Sequence, residues 1–99
     1  MTVSKNHTAF IHQDGVTRVI LHKTAIVTDD HGDIKLDTGG WFTAVTKKRM
    51  NEVLGEWKIK ERVIQHKRKW YVGVPSSDSE TWTAFEGNTA TIYRDEVSA

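Results

Sequence analysis

Hydrophobic and polar residues alternate along most of this chain, which is the pattern of half-buried β-strands. One internal stretch instead repeats its apolar residues every three to four positions, as a helix does. The runs that predict strands cover residues 8–13, residues 16–21, the rest of a β-branched stretch that ends at residue 28, and residues 33–36, 57–66, 69–74, 81–85 and 90–93. We therefore expect four strands, one helix and four more strands.

Short polar pairs separate these runs and predict tight turns. Asp14-Gly15 between two apolar runs is a strong signal for a two-residue hairpin, and Gly87-Asn88 predicts a similar turn near the end. Asp30-His31-Gly32 and Lys67-Arg68 also fall between strand patterns. The β-branched stretch is interrupted at His22-Lys23, where we expect a bulge or bend.

The helix is predicted at about residues 45–54, directly after a sharp turn at Gly39-Gly40. Thr43 or Thr46 can cap its start by accepting a backbone N–H, and Gly55 fits the position just past its end. Its apolar positions, expected on one face, are Val45, Met50, Val53 and Leu54. With such short connections, the sequence predicts an α+β fold: a small, mostly antiparallel sheet with one central helix packed on it.

Composition agrees with one small globular domain over residues 1–99, with flexible ends at 1–7 and 95–99. The chain is 37% hydrophobic and 27% charged, and it has no cysteine, which excludes disulfides, thiolate metal sites and cysteine nucleophiles. No apolar run predicts a signal peptide or a membrane span. We expect a soluble protein that does not associate with membranes.

Charge is distributed unevenly, although the net charge is only +1. Residues 47–69 carry nine basic and three acidic side chains, and the rest of the chain carries five basic and ten acidic ones. Basic residues interleaved with aromatic ones are typical of surfaces that hold single-stranded nucleic acid. The candidates are Lys47, Lys48, Arg49, Lys58, Lys60, Arg62, Lys67, Arg68, Lys69, Trp70 and Tyr71. Two structural alternatives stay open: Trp70 can belong to the core, and lysines also protect exposed strand edges.

Trp41 and Phe42 stand between the two glycines and the helix. Such a pair often anchors a helix to a sheet. If exposed, either ring is a candidate for contact with a protein partner, because Trp is over-represented in binding hot spots.

Catalytic and metal-binding motifs are weak in this sequence. The five histidines are scattered, although His12 and His22 could meet across neighbouring strands, and no serine sits in a nucleophile motif. The acids from Asp29 to Asp37 crowd around one turn, and an enzyme that uses Asp30 or Asp33 is an alternative that no residue pattern demands. We expect no enzymatic activity, no cofactor and no metal.

Three segments resemble a family of short proteins encoded by tailed bacteriophages. They are the strand LHKTAIVT that begins at Leu21, the run TGGWFTAVTKKRMN that begins at Thr38, and the strand KWYV that ends at Val72; AFEG, ending at Gly87, occupies the place of a late PFxDG turn. The likeness covers roughly residues 17 to 87. Thr38 stands where the family usually has Ser, and Val45 stands where it usually has Thr.

The resemblance implies a phage protein that acts in the cytoplasm of the infected bacterial host, and it implies no reaction. We therefore expect a small accessory protein that binds nucleic acid through its basic and aromatic surface. The alternative is a protein-binding inhibitor of a host enzyme or of an anti-phage defence complex. A structural role in the virion is a further alternative. The exposed edge of the predicted sheet would also let a homodimer form.

Overall fold

The structure, a computed structural model, describes residues 8–93. The ends that we predicted to be flexible, 1–7 and 95–99, lie outside the described residues. The elements are β1 (Thr8–Gln13), β2 (Val16–Leu21), β3 (Thr24–Asp30), β4 (Asp33–Asp37), α1 (Ala44–Glu56), β5 (Arg62–His66), β6 (Lys69–Gly73), β7 (Thr83–Ala84) and β8 (Thr89–Ile92). The α+β prediction is confirmed. The described strands divide between two antiparallel sheets, where the sequence pattern predicted one.

The larger sheet has the order β1-β2-β3-β4-β8. Its first four strands follow one another through two-residue turns, and the left-handed backbone of Asp14-Gly15 and His31-Gly32 explains why these pairs were correct signals. At His22-Lys23 the chain reverses fully, more sharply than the bend that we expected. A bulge does occur in this hairpin, but it lies between Val19 and Ile20.

The helix begins where predicted but ends later. Thr43 is the N-cap, and its hydroxyl accepts a hydrogen bond from the Thr46 amide at 3.2 Å. Gly55 lies inside α1, so its prediction as the residue after the helix is wrong. Lys58 takes the left-handed position instead, and the amide of Ile59 reaches back to the Leu54 carbonyl at 2.9 Å. The helix continues to this point because Ile59 and Leu54 are both buried in the core.

One residue of the predicted apolar helix face is placed differently. Val45 is 51% exposed, whereas Met50, Val53 and Leu54 are buried. Nine residues, or about two and a half helical turns, separate Val45 from Leu54, so the two side chains point in opposite directions. Thr46 takes the inward position and receives a hydrogen bond from the Thr43 hydroxyl at 3.1 Å.

The smaller sheet has the order β5-β6-β7. The strand predicted from residue 57 begins only at Arg62, because the helix end and an irregular segment occupy residues 57–61. Lys67-Arg68 forms the predicted tight turn between β5 and β6. At Gly87-Asn88 the chain also turns tightly, with Glu86 paired to Thr89, but the strands on either side join different sheets.

The hydrophobic core lies where α1 and the two sheets meet. Strand alternation places Val19, Val27, Ile34 and Leu36 on the buried face of the larger sheet. The other buried apolar side chains are Leu21, Ile26, Met50, Val53, Leu54, Ile59, Val63, Trp70, Val72, Ala90 and Ile92. Trp57 and Phe85 pack against this cluster from its margin. Burial of this cluster fixes α1 against both sheets.

Candidate functional site

The segment between β4 and α1 sets the direction of two neighbouring aromatic rings. Gly39 has φ +63°, and its amide donates to the Asp37 carboxylate at 2.8 Å. A Cβ at this position would lie 2.6 Å from the Thr24 hydroxyl oxygen. Glycine therefore lets the segment pass close to the start of β3, and Trp41 and Phe42 follow directly.

Trp41 and Phe42 line two different clefts. Trp41 is 65% exposed and lines one cleft with the β2–β3 turn. Phe42 is 46% exposed and lines another cleft, where its ring meets Trp70 edge-on with the centroids 5.1 Å apart. Both rings are thus accessible, and Phe42 also anchors the segment to the smaller sheet.

The second of these, here named the Phe42 cleft, has a volume of about 480 Å³. It is lined by Phe42, Gln65, Arg68, Lys69, Trp70, Ala84, Phe85 and Gly87. Trp70 is only 6% exposed, so it forms the floor of the cleft and presents no open face for stacking. Phe85 meets Trp70 edge-on from the other side, with the centroids 5.9 Å apart. The cleft is thus aromatic, the basic residues Arg68 and Lys69 are among those that line it, and none of the described lining residues is acidic.

The basic residues of this cleft are Arg68, in the β5–β6 turn, and Lys69, the first residue of β6. Lys67 and Arg68 both have left-handed backbones, with φ of 52° and 69°. Asn and Gly are the usual residues in a left-handed backbone. Most other residues pay a conformational cost of about 1–2 kcal/mol there. Four other non-Gly residues of the described chain, Asp14, His22, His31 and Lys58, share this backbone conformation, so strain alone does not mark a functional site. The turn nevertheless keeps two basic residues where less strained residues would favour stability.

The first turn of α1 adds positive potential beside the cleft. Helix α1 runs antiparallel to β5, and the Lys47 ammonium donates to the Gln65 side chain at 3.1 Å, next to the cleft. Lys48 is exposed on the same turn, and the first turn carries no acidic residue. The partial positive charge of a helix N-terminus reinforces these lysines.

Arg68 and Lys69 are the two of the nine predicted basic residues that line the cleft, and four of the other seven lie elsewhere in the structure. Arg49 is 14% exposed and pairs with Glu52 at 3.4 Å. The Arg62 guanidinium donates to the carbonyls of Ile59 and Glu61, which holds the segment between α1 and β5. The two remaining lysines, Lys58 and Lys60, are exposed at the other end of α1, about 20 Å away along a helix of this length. Lys58 and Lys60 precede β5, so the prediction that one strand covers residues 57–66 is wrong for these two lysines.

Tyr71 lies on the opposite face of the smaller sheet from Trp70. Its ring contacts Trp82, with the centroids 6.0 Å apart, and Trp82 also meets His66. The predicted basic and aromatic surface is thus divided into parts that face different directions. The Phe42 cleft is the part where rings and cations meet.

Sequence reasoning missed four residues of the cleft, Gln65, Ala84, Phe85 and Gly87, of which Gln65 and Phe85 contribute side-chain contacts. Gln65 is an exposed residue of β5 that belongs to no motif, and its side-chain oxygen accepts a hydrogen bond from Lys47. Phe85 was noted only as part of a turn motif, yet its amide bonds to the Trp70 carbonyl at 3.0 Å and its ring closes the cleft. Both roles depend on the approach of α1 and the segment 83–87 to the β5–β6 hairpin, which no local signal encodes.

The other opening, here named the Trp41 cleft, has a volume of about 560 Å³. Trp41 and Val45 are its exposed apolar residues, and the buried Leu21 lies beneath them. It is further lined by His22, Lys23, Thr24, Thr43 and Thr46. An exposed Trp beside an apolar depression suits an apolar side chain of a protein partner.

The acidic side chains at the β3–β4 turn make structural contacts. Asp29 accepts a hydrogen bond from the Gly32 amide at 3.0 Å. Asp30 contacts His31 at 2.8 Å and Lys35 at 3.3 Å, and these hydrogen bonds lower the pKa of its carboxyl below the ordinary value. His12, on β1, pairs with Thr17 near the start of β2, whereas His22 follows the end of β2, so the two histidines do not meet. Within residues 8–93 no three His, Asp or Glu side chains cluster as a metal site would require.

The chain matches the Kyanoviridae Gp96 protein family over residues 2–95. It belongs to that family, which is one of tailed-phage proteins, and the predicted phage origin is confirmed. No curated protein and no solved structure matches the chain. In the part of the chain that the structure describes, no helix is long and apolar enough to cross a membrane.

Proposed function

We propose that this phage protein is an accessory protein that binds single-stranded nucleic acid in the Phe42 cleft and catalyses no reaction. The observation that carries the proposal is that the accessible ring of Phe42 and the half-buried ring of Phe85 share one opening with Arg68 and Lys69. The site of action that we propose is the cytoplasm of the infected host, where nucleic acid is abundant.

The cleft offers the two kinds of contact that single strands use. An unpaired base can insert beside Phe42 and Phe85, and a base–aromatic contact contributes about 1–3 kcal/mol per base. Arg68 can meet a phosphate beside that base, and Lys69, whose side chain strand alternation directs to the face of Tyr71, can meet a phosphate farther along the nucleic acid. Duplex bases are stacked within the helix and cannot enter, so we expect a preference for single strands.

The test is binding of a labelled single-stranded oligonucleotide, followed by fluorescence anisotropy at several salt concentrations. The cleft variant Arg68→Ala/Lys69→Ala should weaken binding at least about tenfold and reduce the slope of log K against log salt by about 1.4, if two phosphate contacts are lost. The control Lys58→Ala/Lys60→Ala removes the same charge from the far end of α1. We expect it to change affinity less than about threefold.

Equal loss in the two variants would show that net charge, and not the cleft, drives binding. No binding even at low salt would refute the proposed function itself. Trace nuclease activity is checked by gel analysis of the recovered oligonucleotide, which should remain intact.

A second candidate function is inhibition of a host protein through the Trp41 cleft. The exposure of Trp41, 65%, together with that of Val45, 51%, favours it. Trp41→Ala and Phe42→Ala form a matched pair of variants in adjacent residues. Under the nucleic-acid proposal, Phe42→Ala weakens oligonucleotide binding and Trp41→Ala does not. Under the alternative, Trp41→Ala abolishes capture of a host protein from nuclease-treated lysate and Phe42→Ala does not.

A further inference from the structure

Strand β1 forms one edge of the five-stranded sheet, and its hydrogen-bonding pattern follows from its turn. Gln13 and Val16 flank the two-residue turn, so they face each other as a hydrogen-bonded pair. Alternation then directs the main-chain groups of Ile11 toward β2 as well. The main-chain groups of Phe10 and His12 point the other way, toward the open edge.

Phe10 also continues the buried face of the sheet. The strand registers place it in one row with Val19, Val27 and Leu36 across four strands. The last three side chains are fully buried, at 0% exposure, whereas Phe10 is 43% exposed. The apolar layer of the sheet therefore runs on to the edge, where nothing in the described part of the chain covers its last ring.

This edge lacks the usual protection against pairing. Proteins protect exposed edges with charged residues, proline or a bulge, and β1, with the sequence TAFIHQ, has no Lys, Arg, Asp, Glu or Pro and no bulge. The contrast is the edge strand β5, where the Asn51 side chain bonds both main-chain groups of Val63. The chain covers one residue of the β5 edge in this way, whereas no described side chain bonds the main-chain groups of Phe10 or His12.

We propose that β1 pairs with β1 of a second copy of this chain, antiparallel and about a two-fold axis at Phe10, to form a continuous ten-stranded sheet. A strand related to itself by a two-fold axis is antiparallel by necessity, and a closed dimer uses the same edge on both copies. In this register Phe10 faces its own counterpart as a hydrogen-bonded pair, and Ile11 faces Ala9. The two Phe10 rings then lie side by side and join the buried rows of both sheets.

The first test is the mass of the native full-length protein by sedimentation equilibrium over a wide concentration range. We expect a dimer for the unaltered protein and a monomer for Phe10→Lys, which places two like charges at the axis. Val45→Lys, an exposed position on α1, is the control and should remain dimeric. A protein that is monomeric at all concentrations overturns the proposal, and so does growth into longer polymers.

The second test determines the pairing register of the two β1 strands and does not use the Phe10→Lys variant. The chain has no cysteine, so Phe10→Cys and Ile11→Cys each introduce a single thiol. Directly paired positions lie about 5.5 Å apart between Cα atoms, within disulfide range, and diagonal positions about 7–8 Å apart. Phe10→Cys should therefore form a cross-linked dimer on mild oxidation at least about tenfold faster than Ile11→Cys. Equal rates, or faster reaction of Ile11→Cys, would overturn the register.

Discussion

Asn51 joins the helix to the edge of the smaller sheet, and replacing it by Ala tests this joint. Its side-chain nitrogen donates to the Val63 carbonyl at 3.1 Å, and its oxygen accepts from the Val63 amide at 2.7 Å. The side chain thereby takes the place of a neighbouring strand for one residue of β5. Since β5 and α1 also frame the Phe42 cleft, the joint contributes to the geometry of the site.

The expected loss follows from the two bonds and their surroundings. Each hydrogen bond contributes about 0.5–1.5 kcal/mol net, and a polar group left unpaired in a buried position costs about 1–3 kcal/mol. Both bonds are partly buried, so Asn51→Ala should lower the free energy of unfolding by about 2–3 kcal/mol. For a chain of this size, that corresponds to a fall in Tm of about 10–20 °C.

Thermal unfolding followed by circular dichroism measures the shift, and amide exchange of Val63 locates it. The control is Asn88→Ala, at an exposed turn residue, which should change stability by less than about 0.5 kcal/mol. A Tm within about 3 °C of the unaltered protein, with unchanged exchange at Val63, would refute the assignment of this joint.

Two further predictions concern the turns. Lys67→Asn/Arg68→Gly should raise the free energy of unfolding by about 1–2 kcal/mol, because both positions have a left-handed backbone, and it should weaken oligonucleotide binding. Urea titration measures the first effect and fluorescence anisotropy the second. Unchanged binding would contradict a functional turn. In the folded protein, hydrogen bonds from His31 and Lys35 hold the pKa of the Asp30 carboxyl below its ordinary value of 3.8. Ionised Asp30 therefore stabilises the fold above that pH, and this contribution is lost as the pH falls through the folded pKa. Asp30→Asn should therefore be less stable than the unaltered protein at neutral pH, and the difference in urea midpoint should shrink below about pH 3.8; a constant difference would contradict it.

Local turn chemistry explains which parts of the fold could be predicted. Asp14-Gly15 and Gly39-Gly40 turn the chain where their conformational freedom indicates, and Thr43 caps the helix as expected. The helix end could not be predicted, because burial of Ile59 extends the helix past Gly55. The division into two sheets could not be predicted either, because the pairing of β4 with β8 joins segments more than fifty residues apart in the chain.

The candidate site was predictable in its chemistry but not in its shape. Basic residues and aromatic rings were identified from the segment 47–71, and Arg68 and Lys69 do line a cleft. Sequence patterns alone could not show that Trp70 is buried and Phe42 accessible, because the difference arises where the β4–α1 segment contacts the smaller sheet. Contact between distant segments, and not local pattern, places Phe85 there.

The most direct measurement of the central claim is a titration of the isotopically labelled protein with a short single-stranded oligonucleotide, followed by two-dimensional NMR at about 50 mM salt. The account predicts that the largest shift changes fall on Phe42, Gln65 and Arg68, with the ring signals of Phe42 moving strongly. The amides of Lys58 and Lys60 should move little. Changes centred on these two lysines, or no change at all, would contradict a nucleic-acid site in the Phe42 cleft.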